Sequence, residues 1–241
     1  DVDNNGAGNF TIANSKELNT GNNSLQITSN DIELSGTLNS GTASTKLLIS
    51  DDGTIGLGDT AGNLSITGDE LQNITAKELI IGKDTNGSIT VDNLAAENSA
   101  NISSKLELNT DKSITFSNND SVFSAFDLNL NADNEIILSQ NVTTAGTTTI
   151  DSDVDNNGTG NFTITKSKEL NTANNNLQIT ANDIDLSCTL NSGTASTELL
   201  VSDDGTIGLG DTSGNLSITG LELENITAQG LTIGKNTNGS I

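Results

Sequence analysis

Residues 47–82 read LLISDDGTIGLGDTAGNLSITGDELQNITAKELIIG. Four short clusters of Ile and Leu lie in this stretch, namely LLIS, TIGL, LSIT and LIIG, and they are separated by segments rich in Asp, Asn and Gly. Short runs of this kind, bounded by such residues, are typical of β-strands, and Gly, Asn and Asp suit the turns between strands. The stretch therefore predicts several short strands joined by tight turns.

The same stretch returns at 199–234 as part of an internal repeat. Residues 1–89 align with residues 153–241 without a gap, and 72 of the 89 positions are identical. The spacer, residues 90–152, has similar clusters, such as SITV, SITF and EIIL, in a different sequence context. Repetition at a fixed period is the sequence signature of a solenoid. We therefore predict that residues 1–241 form a single continuous β-solenoid made of a unit, a spacer and a second unit.

The spacing of the clusters predicts a parallel β-helix. Eight steps between leading clusters cover 152 residues, which gives a mean of about 19 residues per step. One coil of a parallel β-helix holds two or three short strands and advances by one strand spacing of ~4.8 Å. The prediction is an all-β fold with about 19 residues per coil and roughly 12–13 coils in the chain. The leading clusters begin near Phe10, Leu25, Leu47, Leu64, Leu79, Leu106, Leu128, Thr147 and Phe162.

The composition limits the chemistry that the chain can perform. Only 32% of the residues are hydrophobic and the formal net charge is −23, a balance that favours disorder unless the apolar residues are grouped, as they are here. The sequence contains no His, Met, Trp, Tyr or Pro, and all nine basic residues are Lys. His, the commonest general base near neutral pH, is therefore missing. Arg, the residue that binds carboxylates and phosphates in a bidentate way, is missing too. Nucleic acids and anionic membranes need a basic face, so we expect neither as a partner.

The sequence shows no targeting segment and only one cysteine. No apolar run approaches the ~18–20 residues of a membrane-spanning helix, and no signal peptide is apparent. Because the sequence does not begin with Met, we expect an excerpt or a processed piece of a longer chain. Cys188 has Gly36 as its counterpart in the first unit. We interpret it as sequence drift at a tolerant position, with a reactive or intermolecular thiol as the alternative.

A string of immunoglobulin-like adhesin domains with calcium at the linkers is the competing fold. An 89-residue repeat matches the size of such a domain. However, a sandwich core normally contains Trp or Tyr, and its strands recur every 8–12 residues or so. The 63-residue spacer has no place in such a string. The parallel β-helix is therefore the preferred fold.

Three segments resemble the repeat regions of filamentous-haemagglutinin-like exoproteins of Gram-negative bacteria. They are residues 49–94, ISDDGTIGLGDTAGNLSITGDELQNITAKELIIGKDTNGSITVDNL, residues 151–164, DSDVDNNGTGNFTI, and residues 181–196, ANDIDLSCTLNSGTAS. Such large repetitive exoproteins are typically exported by two-partner secretion, and the targeting domain that defines them is not among these residues. The resemblance extends over essentially the whole chain. It implies a right-handed parallel β-helix that forms an extracellular fibre or stalk at the cell surface, commonly an adhesive one.

The start of each unit carries a motif with two interpretations. DVDNNGAGN at residues 1–9 and DVDNNGTGN at residues 153–161 match the first half of a calcium-loop pattern. The pattern normally closes with a bidentate Glu at position 12, which is Ile12 in the first unit and Ile164 in the second. The motif therefore predicts either a weak calcium site or a Gly/Asn turn into a strand. The candidate calcium ligands are Asp1, Asp3, Asn5, Asp153, Asp155 and Asn157.

Other motifs favour no enzymatic activity. Asp51–Asp52 and Asp203–Asp204 are paired carboxylates, as polysaccharide-processing β-helix enzymes use. The pair recurs with the repeat, however, whereas an active site is normally singular, and the aromatic platforms for sugars are missing. GLGDTAGN lacks the Lys and the following helix of a phosphate-binding loop. We expect no enzyme and no cofactor other than calcium.

The sequence thus predicts a structural or adhesive segment of an extracellular bacterial surface fibre, a rigid rod that extends, displays or bundles. One alternative is a calcium-stabilised adhesin with a specific binding face in the spacer, and a remote one is a polysaccharide-processing enzyme. The expected partners are neighbouring repeats of a longer chain, a cell-surface receptor or glycan, and other copies joined end to end or side by side, since open strand edges invite pairing. The five Phe residues are expected to stack in the core.

Overall fold

A computed structural model describes residues 8–83, 86–124, 126–235, 237 and 239–241. These residues form an all-β structure, with 49% of the chain in strands and 6% in helices, and the sheets are parallel. This arrangement is compatible with the predicted β-helix. Three short helical segments interrupt the strands: α1 (Gly68–Gln72), a 3₁₀ helix (Ala96–Ser99) and α2 (Gly220–Glu224).

The strands are short, because a turn residue follows almost every apolar cluster. In the first unit they are β1 (Asn9–Ile12), β2 (Glu17–Asn19), β3 (Leu25–Ser29), β4 (Asp31–Leu34), β5 (Thr37–Asn39), β6 (Ser44–Ile49), β7 (Ile55–Gly58), β8 (Leu64–Ile66), β9 (Ile74–Gly82) and β10 (Ile89–Asp92), which ends in the spacer. In the rest of the spacer they are β11 (Ile102–Thr110), β12 (Ser113–Phe116), β13 (Ser121–Val122), β14 (Asp127–Ala132), β15 (Glu135–Leu138), β16 (Val142–Thr143) and β17 (Thr148–Asp151). In the second unit they are β18 (Asn161–Ile164), β19 (Glu169–Asn171), β20 (Leu177–Ala181), β21 (Asp183–Leu186), β22 (Thr189–Asn191), β23 (Ser196–Val201), β24 (Ile207–Leu209), β25 (Leu216–Ile218), β26 (Ile226–Thr227) and β27 (Gly230–Ile233).

Successive strands join three stacks in turn. The long stack is the series β3, β6, β9, β11, β14, β17, β20, β23 and β27, each paired with the next. The acidic stack contains the pair β1–β4, the series β8, β7, β10, β12, β15, β18 and β21, and the pair β25–β24. The short stack contains β2 and β5, which pair on to the start of β9, and the series β13, β16, β19, β22 and β26.

Each strand of the long stack pairs with the strand that lies one coil further along the chain. Leu25 lies beside Thr45, and Thr45 lies beside Leu79. Between Thr45 and Thr197, which are equivalent residues of the two units, there are six strand spacings, or about 29 Å. The predicted coil, with a mean of about 19 residues, is therefore too short. The prediction of roughly 12–13 coils is too large, since nine strands make up the long stack within the described residues.

The coil length was underestimated because neighbouring clusters belong to different stacks. Phe10 lies on β1 in the acidic stack, whereas Leu25 lies on β3 in the long stack. The segment between them is part of one coil and does not advance the chain by a strand spacing. Phe10 instead pairs in register with Ile32 on β4, one coil later.

The inward-facing residues of the stacks fill one hydrophobic core. A row of the long stack runs in register through Ile27, Leu47, Ile81, Leu108, Leu130, Ile150, Ile179 and Leu199, and all of these side chains are buried. Burying one such side chain contributes roughly 1.5–3 kcal/mol. Phe116, Phe123, Phe126 and Phe162 are also buried, and Phe10 packs partly buried against the core, which confirms the prediction for the aromatic residues.

Buried hydroxyl groups at the entry to the long stack pair with one another. The Ser40 and Thr45 hydroxyls lie 2.8 Å apart, and the equivalent Ser192 and Thr197 hydroxyls lie 2.7 Å apart. All four residues are fully buried. A buried hydroxyl without a partner is costly, so each pair makes its polar position compatible with the core.

One strand pair in each unit reverses the order of the acidic stack. β7 precedes β8 in the chain, yet β8 lies between β4 and β7 along the stack. The chain turns back through residues 59–63, so that Ile55 pairs with Leu64. This turn is tight, because a Cβ on Gly56 would clash with the Thr60 carbonyl oxygen. The detour explains why the coil from Thr45 to Leu79 is a long one, and β24 and β25 repeat it in the second unit.

Candidate functional site

The second predicted calcium loop is a turn between β17 and β18. Asp153 is fully buried, and its carboxylate accepts hydrogen bonds from the backbone N–H groups of Asn157 (3.2 Å) and Gly158 (3.1 Å) and from the Ser202 hydroxyl. The Asp155 carboxylate accepts from the backbone N–H of Asn157 at 3.3 Å and from its side-chain amide at 2.7 Å. The oxygens that were candidate calcium ligands therefore hold the turn together.

These contacts favour the turn interpretation of the motif. Calcium needs six to eight oxygen ligands directed at one point. Within the described part of the chain, no group of three or more His, Cys, Asp or Glu side chains is arranged to hold a metal. Calcium binding by Asp153, Asp155 and Asn157 stays a prediction. Asp1 and Asp3, together with Asn5, lie outside the described residues.

The paired carboxylates also lie in turns. Asp51 accepts a hydrogen bond from the backbone N–H of Gly53 at 3.0 Å. Asp203 and Asp204 both have a φ of +49°, a left-handed conformation that Asp tolerates better than most residues. The Lys235 ammonium lies 3.6 Å from the Asp204 carboxylate. These positions are explained by backbone turns.

Side chains, rather than a backbone ladder, join β4 to β8 and to helix α1, which follows β8 in the chain. The Asp31 carboxylate accepts a hydrogen bond from the backbone N–H of Ser65 at 2.9 Å. The Glu70 carboxylate accepts from the backbone N–H of Leu34 at 3.0 Å, and the Asn73 amide donates to the Leu34 carbonyl at 2.8 Å. We call Asp31, Glu70 and Asn73 the side-chain bridge. It satisfies strand-edge groups that would otherwise be buried without partners.

Helix α1 positions Glu70 for this role. The Thr67 hydroxyl accepts a hydrogen bond from the Glu70 backbone N–H at 3.3 Å, and the Glu70 carboxylate accepts from the Thr67 backbone N–H at 2.9 Å. This reciprocal pair is a capping box. One oxygen of Glu70 thus caps the helix while the other bonds to β4. The bridge was not predicted from the sequence, although the Thr-x-x-Glu spacing of TGDE (67–70) and TGLE (219–222) is a recognisable helix-start signal.

Asp183, Glu222 and Asn225 form the same bridge in the second unit. The Asp183 carboxylate accepts from the backbone N–H of Ser217 at 2.9 Å, and the Glu222 and Asn225 bonds to Leu186 measure 3.0 and 2.8 Å. Burial raises the pKa of Asp183, and the hydrogen bonds that it accepts offset only part of that effect. Its carboxylate is therefore held in place at the cost of partial desolvation.

We expect Asp183→Ala to lower the free energy of unfolding by roughly 1–3 kcal/mol, because the Ser217 N–H loses its acceptor. Asp183→Asn is the matched control, since its neutral side chain still offers an oxygen to Ser217.

The raised pKa of Asp183 means that its contribution to stability grows as the pH falls from 7 toward the ordinary value of 3.8. Asp183→Asn should abolish that pH-dependent part. Urea unfolding at pH 7 and at mildly acidic pH measures both effects, and an Asp183→Ala protein as stable as the wild type would contradict the role of the bridge.

The outward side of the long stack, which we call the long face, carries two rows of mainly polar residues. The first row is Gln26, Lys46, Ile80, Glu107, Asn129, Thr149, Gln178, Glu198 and Thr232. The second row includes Thr28, Leu48, Gly82, Asn109, Asn131, Asp151, Thr180 and Leu200.

Side-chain hydrogen bonds order the spacer part of the long face. The Asn131 amide donates to the Asn109 side-chain oxygen at 2.7 Å, and the Asn109 amide donates to Glu107 at 2.9 Å. The Lys105 ammonium lies 2.7 Å from the same Glu107 carboxylate. Burial by itself would raise the pKa of Glu107, but the hydrogen bonds from Lys105 and Asn109 outweigh it and the pKa is lowered. At Asp151, by contrast, burial raises the pKa. The spacer thus presents a fixed amide and carboxylate surface.

The aromatic residues of the spacer lie beneath this surface. The Phe116 and Phe123 ring centroids are 6.2 Å apart and those of Phe123 and Phe126 are 6.5 Å apart, in edge-to-face contact within the core. They are therefore not available to stack on a sugar. Cys188 is a free cysteine that packs, partly buried, against the core of the second unit.

None of the helices that the described residues form is long and apolar enough to cross a membrane. The chain matches no protein-family model, no curated protein and no solved structure.

Proposed function

We propose that this chain is a structural segment of an extracellular fibre on the surface of a Gram-negative bacterium, of the filamentous-haemagglutinin-like type. In this proposal each period of the repeat adds length to a β-helical rod, and the chain catalyses no reaction. The observation that carries the proposal is the placement of the two units. Leu47 and Leu199, one period apart, are both fully buried in the same inward row of the long stack. A repeat placed in this way lengthens the stack and builds no new cleft.

A right-handed coil is part of this proposal. The chain leaves each stack, crosses the others and returns to pair in parallel with the strand that it left. Crossover connections between parallel strands of one sheet are right-handed in about 98% of cases. The sequence resemblance to filamentous-haemagglutinin-like repeats implies the same hand.

The exposed edge of β27, the last strand of the long stack, supports the proposal that neighbouring repeats are partners. Leu79 on β9 is fully buried beneath β11, whereas the equivalent Leu231 on β27 is 42% exposed. An apolar strand edge of this kind favours pairing with a further strand. In a longer array the next repeat supplies that strand. A receptor or glycan on another cell would meet the sides of the rod.

Lengthening by a fixed increment tests the proposal. A chain in which residues 90–241 are repeated once more after residue 241 should be longer by about 29 Å, with an unchanged cross-section. Small-angle X-ray scattering measures the maximum dimension and the cross-sectional radius of both proteins. A flexible Gly/Ser extension of equal length serves as the control for added mass without added rod. An increase in cross-section without the increase in length would overturn the proposed function.

A further inference from the structure

The two units differ in the sign of one charge on the long face. Lys46 in the first unit has Glu198 as its equivalent, and among the 17 positions that differ between the units this is the one reversal of charge. Lys46 is exposed, and its ammonium makes no hydrogen bond or ion pair with the residues that the structure describes. Glu198 is partly exposed and accepts a hydrogen bond from Gln178 at 2.8 Å. The two opposite charges therefore stand on the same face, and both reach solvent.

Their positions are symmetric about β14. Lys46 lies on β6, three strands before β14, and Glu198 lies on β23, three strands after it. Consider a two-fold axis that runs parallel to β14 and lies at the outer surface of the long face. Rotation about this axis would bring each Lys46 against the partner's Glu198. We propose that the long face binds the long face of a second copy of this chain in this antiparallel arrangement. The inference rests on the proposed fibre function, because it names how neighbouring rods join side by side.

The same axis also brings complementary residues of the second row of the long face together. Leu48 on β6 faces the partner's Leu200 on β23, which buries two half-exposed apolar pairs. Asn109 on β11 faces the partner's Asp151 on β17, an amide donor against a carboxylate acceptor. Asn131, on the axis itself, meets the partner's Asn131. An interface in which each residue is matched in this way is self-complementary, as two-fold contacts require.

Most of the other charged residues of the long face do not face a residue of like charge in the partner. Glu107 faces the partner's Thr149 in the first row. A third outward row lies two residues before the first row and includes Glu78, Lys105 and Asp127. In this row Glu78 faces the partner's Asn176. Lys105 forms an ion pair with Glu107 of its own chain. Asp127 lies on the axis and meets the partner's Asp127. This like-charge contact lies at the exposed first residue of β14, where salt screens it.

The acidic stack offers no comparable surface. Its outward residues include five acids and, among the strands described, no Lys: Asp31, Glu33, Glu135, Asp183 and Asp185. Two chains of net charge −23 repel wherever such faces meet. The long face also has the required size. Nine strands at ~4.8 Å, each about five residues long, cover roughly 700 Å², close to the ~800 Å² per partner of a stable interface.

Charge exchange tests the pairing. Lys46→Glu and Glu198→Lys should each raise the dimer dissociation constant roughly tenfold, because each sets like charges together twice. The double variant Lys46→Glu/Glu198→Lys should restore the wild-type dissociation constant. Lys16→Glu changes the net charge equally at an exposed position before β2, and it should leave dimerisation unchanged. Sedimentation velocity over a concentration series measures all five proteins.

A cysteine on the axis tests the register. In a Cys188→Ser background, Asn131→Cys should oxidise to a covalent dimer, whereas Thr163→Cys, which is also partly exposed but lies on the acidic stack, should stay uncrosslinked. A wild-type monomer at all concentrations, failure of the double variant to recover, or absence of the Asn131→Cys crosslink would each overturn the inference. A monomeric rod that still lengthens with an added period would leave the proposed function standing.

Discussion

Phe162→Ala should lower the free energy of unfolding by about 3–5 kcal/mol. Phe162 is fully buried on β18, where it lies in register between Ile136 of β15 and Ile184 of β21. Backbone ladders hold the strands on both sides, so they are unable to close over the space that the ring leaves. The lost burial and the remaining cavity therefore both count against the folded state.

The chain supplies its own control for this substitution. Phe10 is the equivalent residue of the first unit, and it lies on β1, which pairs on one side with β4. Its ring is only partly buried. Phe10→Ala should therefore cost less than half as much as Phe162→Ala. Urea denaturation followed by circular dichroism gives both values, and equal losses would show that the stacked neighbours do not determine the effect.

Gly58→Ala should destabilise the protein by about 2–5 kcal/mol, and Gly210→Ala by about 1–2 kcal/mol. The two glycines are equivalent, with φ of +90° and +70°, so both alanines bear the penalty of a left-handed backbone. A Cβ at Gly58 would also clash with the carbonyl oxygen of Asp92 at the end of β10. At Gly210 nothing lies within 4 Å of that position. The difference between the two substitutions therefore reports the packing of one coil on the next.

Hydrogen exchange locates the damage that these substitutions cause. In Gly58→Ala the amides of β10 and its neighbour β12 should exchange faster, because β10 must move to relieve the clash. In Gly210→Ala the amides of β10 should exchange as in the wild type. Equal destabilisation by the two substitutions, or unchanged protection of β10 in Gly58→Ala, would contradict the tight approach of Gly58 to Asp92.

The class of the fold was readable from local sequence. LLIS and LSIT lie in β6 and β8, as predicted, because alternating apolar residues between Asn, Asp and Gly bury one side of a strand wherever it pairs. The stack that a strand joins was not readable in the same way. TIGL (β7) and LSIT (β8) look like strands of successive coils. In the stack, however, β8 lies between β4 and β7, so the order of the two strands is reversed. That order depends on close backbone contacts within the turn, such as Gly56 against Thr60, and not on apolar periodicity.

The candidate sites show the same division between local and distant causes. DVDNNG is compatible with a turn and with a weak calcium loop, because an Asp carboxylate accepts hydrogen bonds from backbone N–H groups and also binds a cation. Ser202, far along the chain from Asp153, contributes the contact that makes the turn a buried one. The side-chain bridge likewise joins Asp31 to Ser65 on a strand that is distant in sequence. The capping boxes of α1 and α2, by contrast, each lie within four consecutive residues, Thr67 to Glu70 and Thr219 to Glu222.

The side-chain bridge has a consequence for a rod that is stretched. Along the long stack a tensile force passes through continuous backbone ladders. Between β4 and the segment formed by β8 and α1 it passes instead through three side-chain hydrogen bonds. Rupture on that flank should therefore begin at the bridge, once in every period of the repeat, while the opposite flank still holds. In the fibre that we propose, many such yield points in series would absorb a sudden load without rupture of the whole chain.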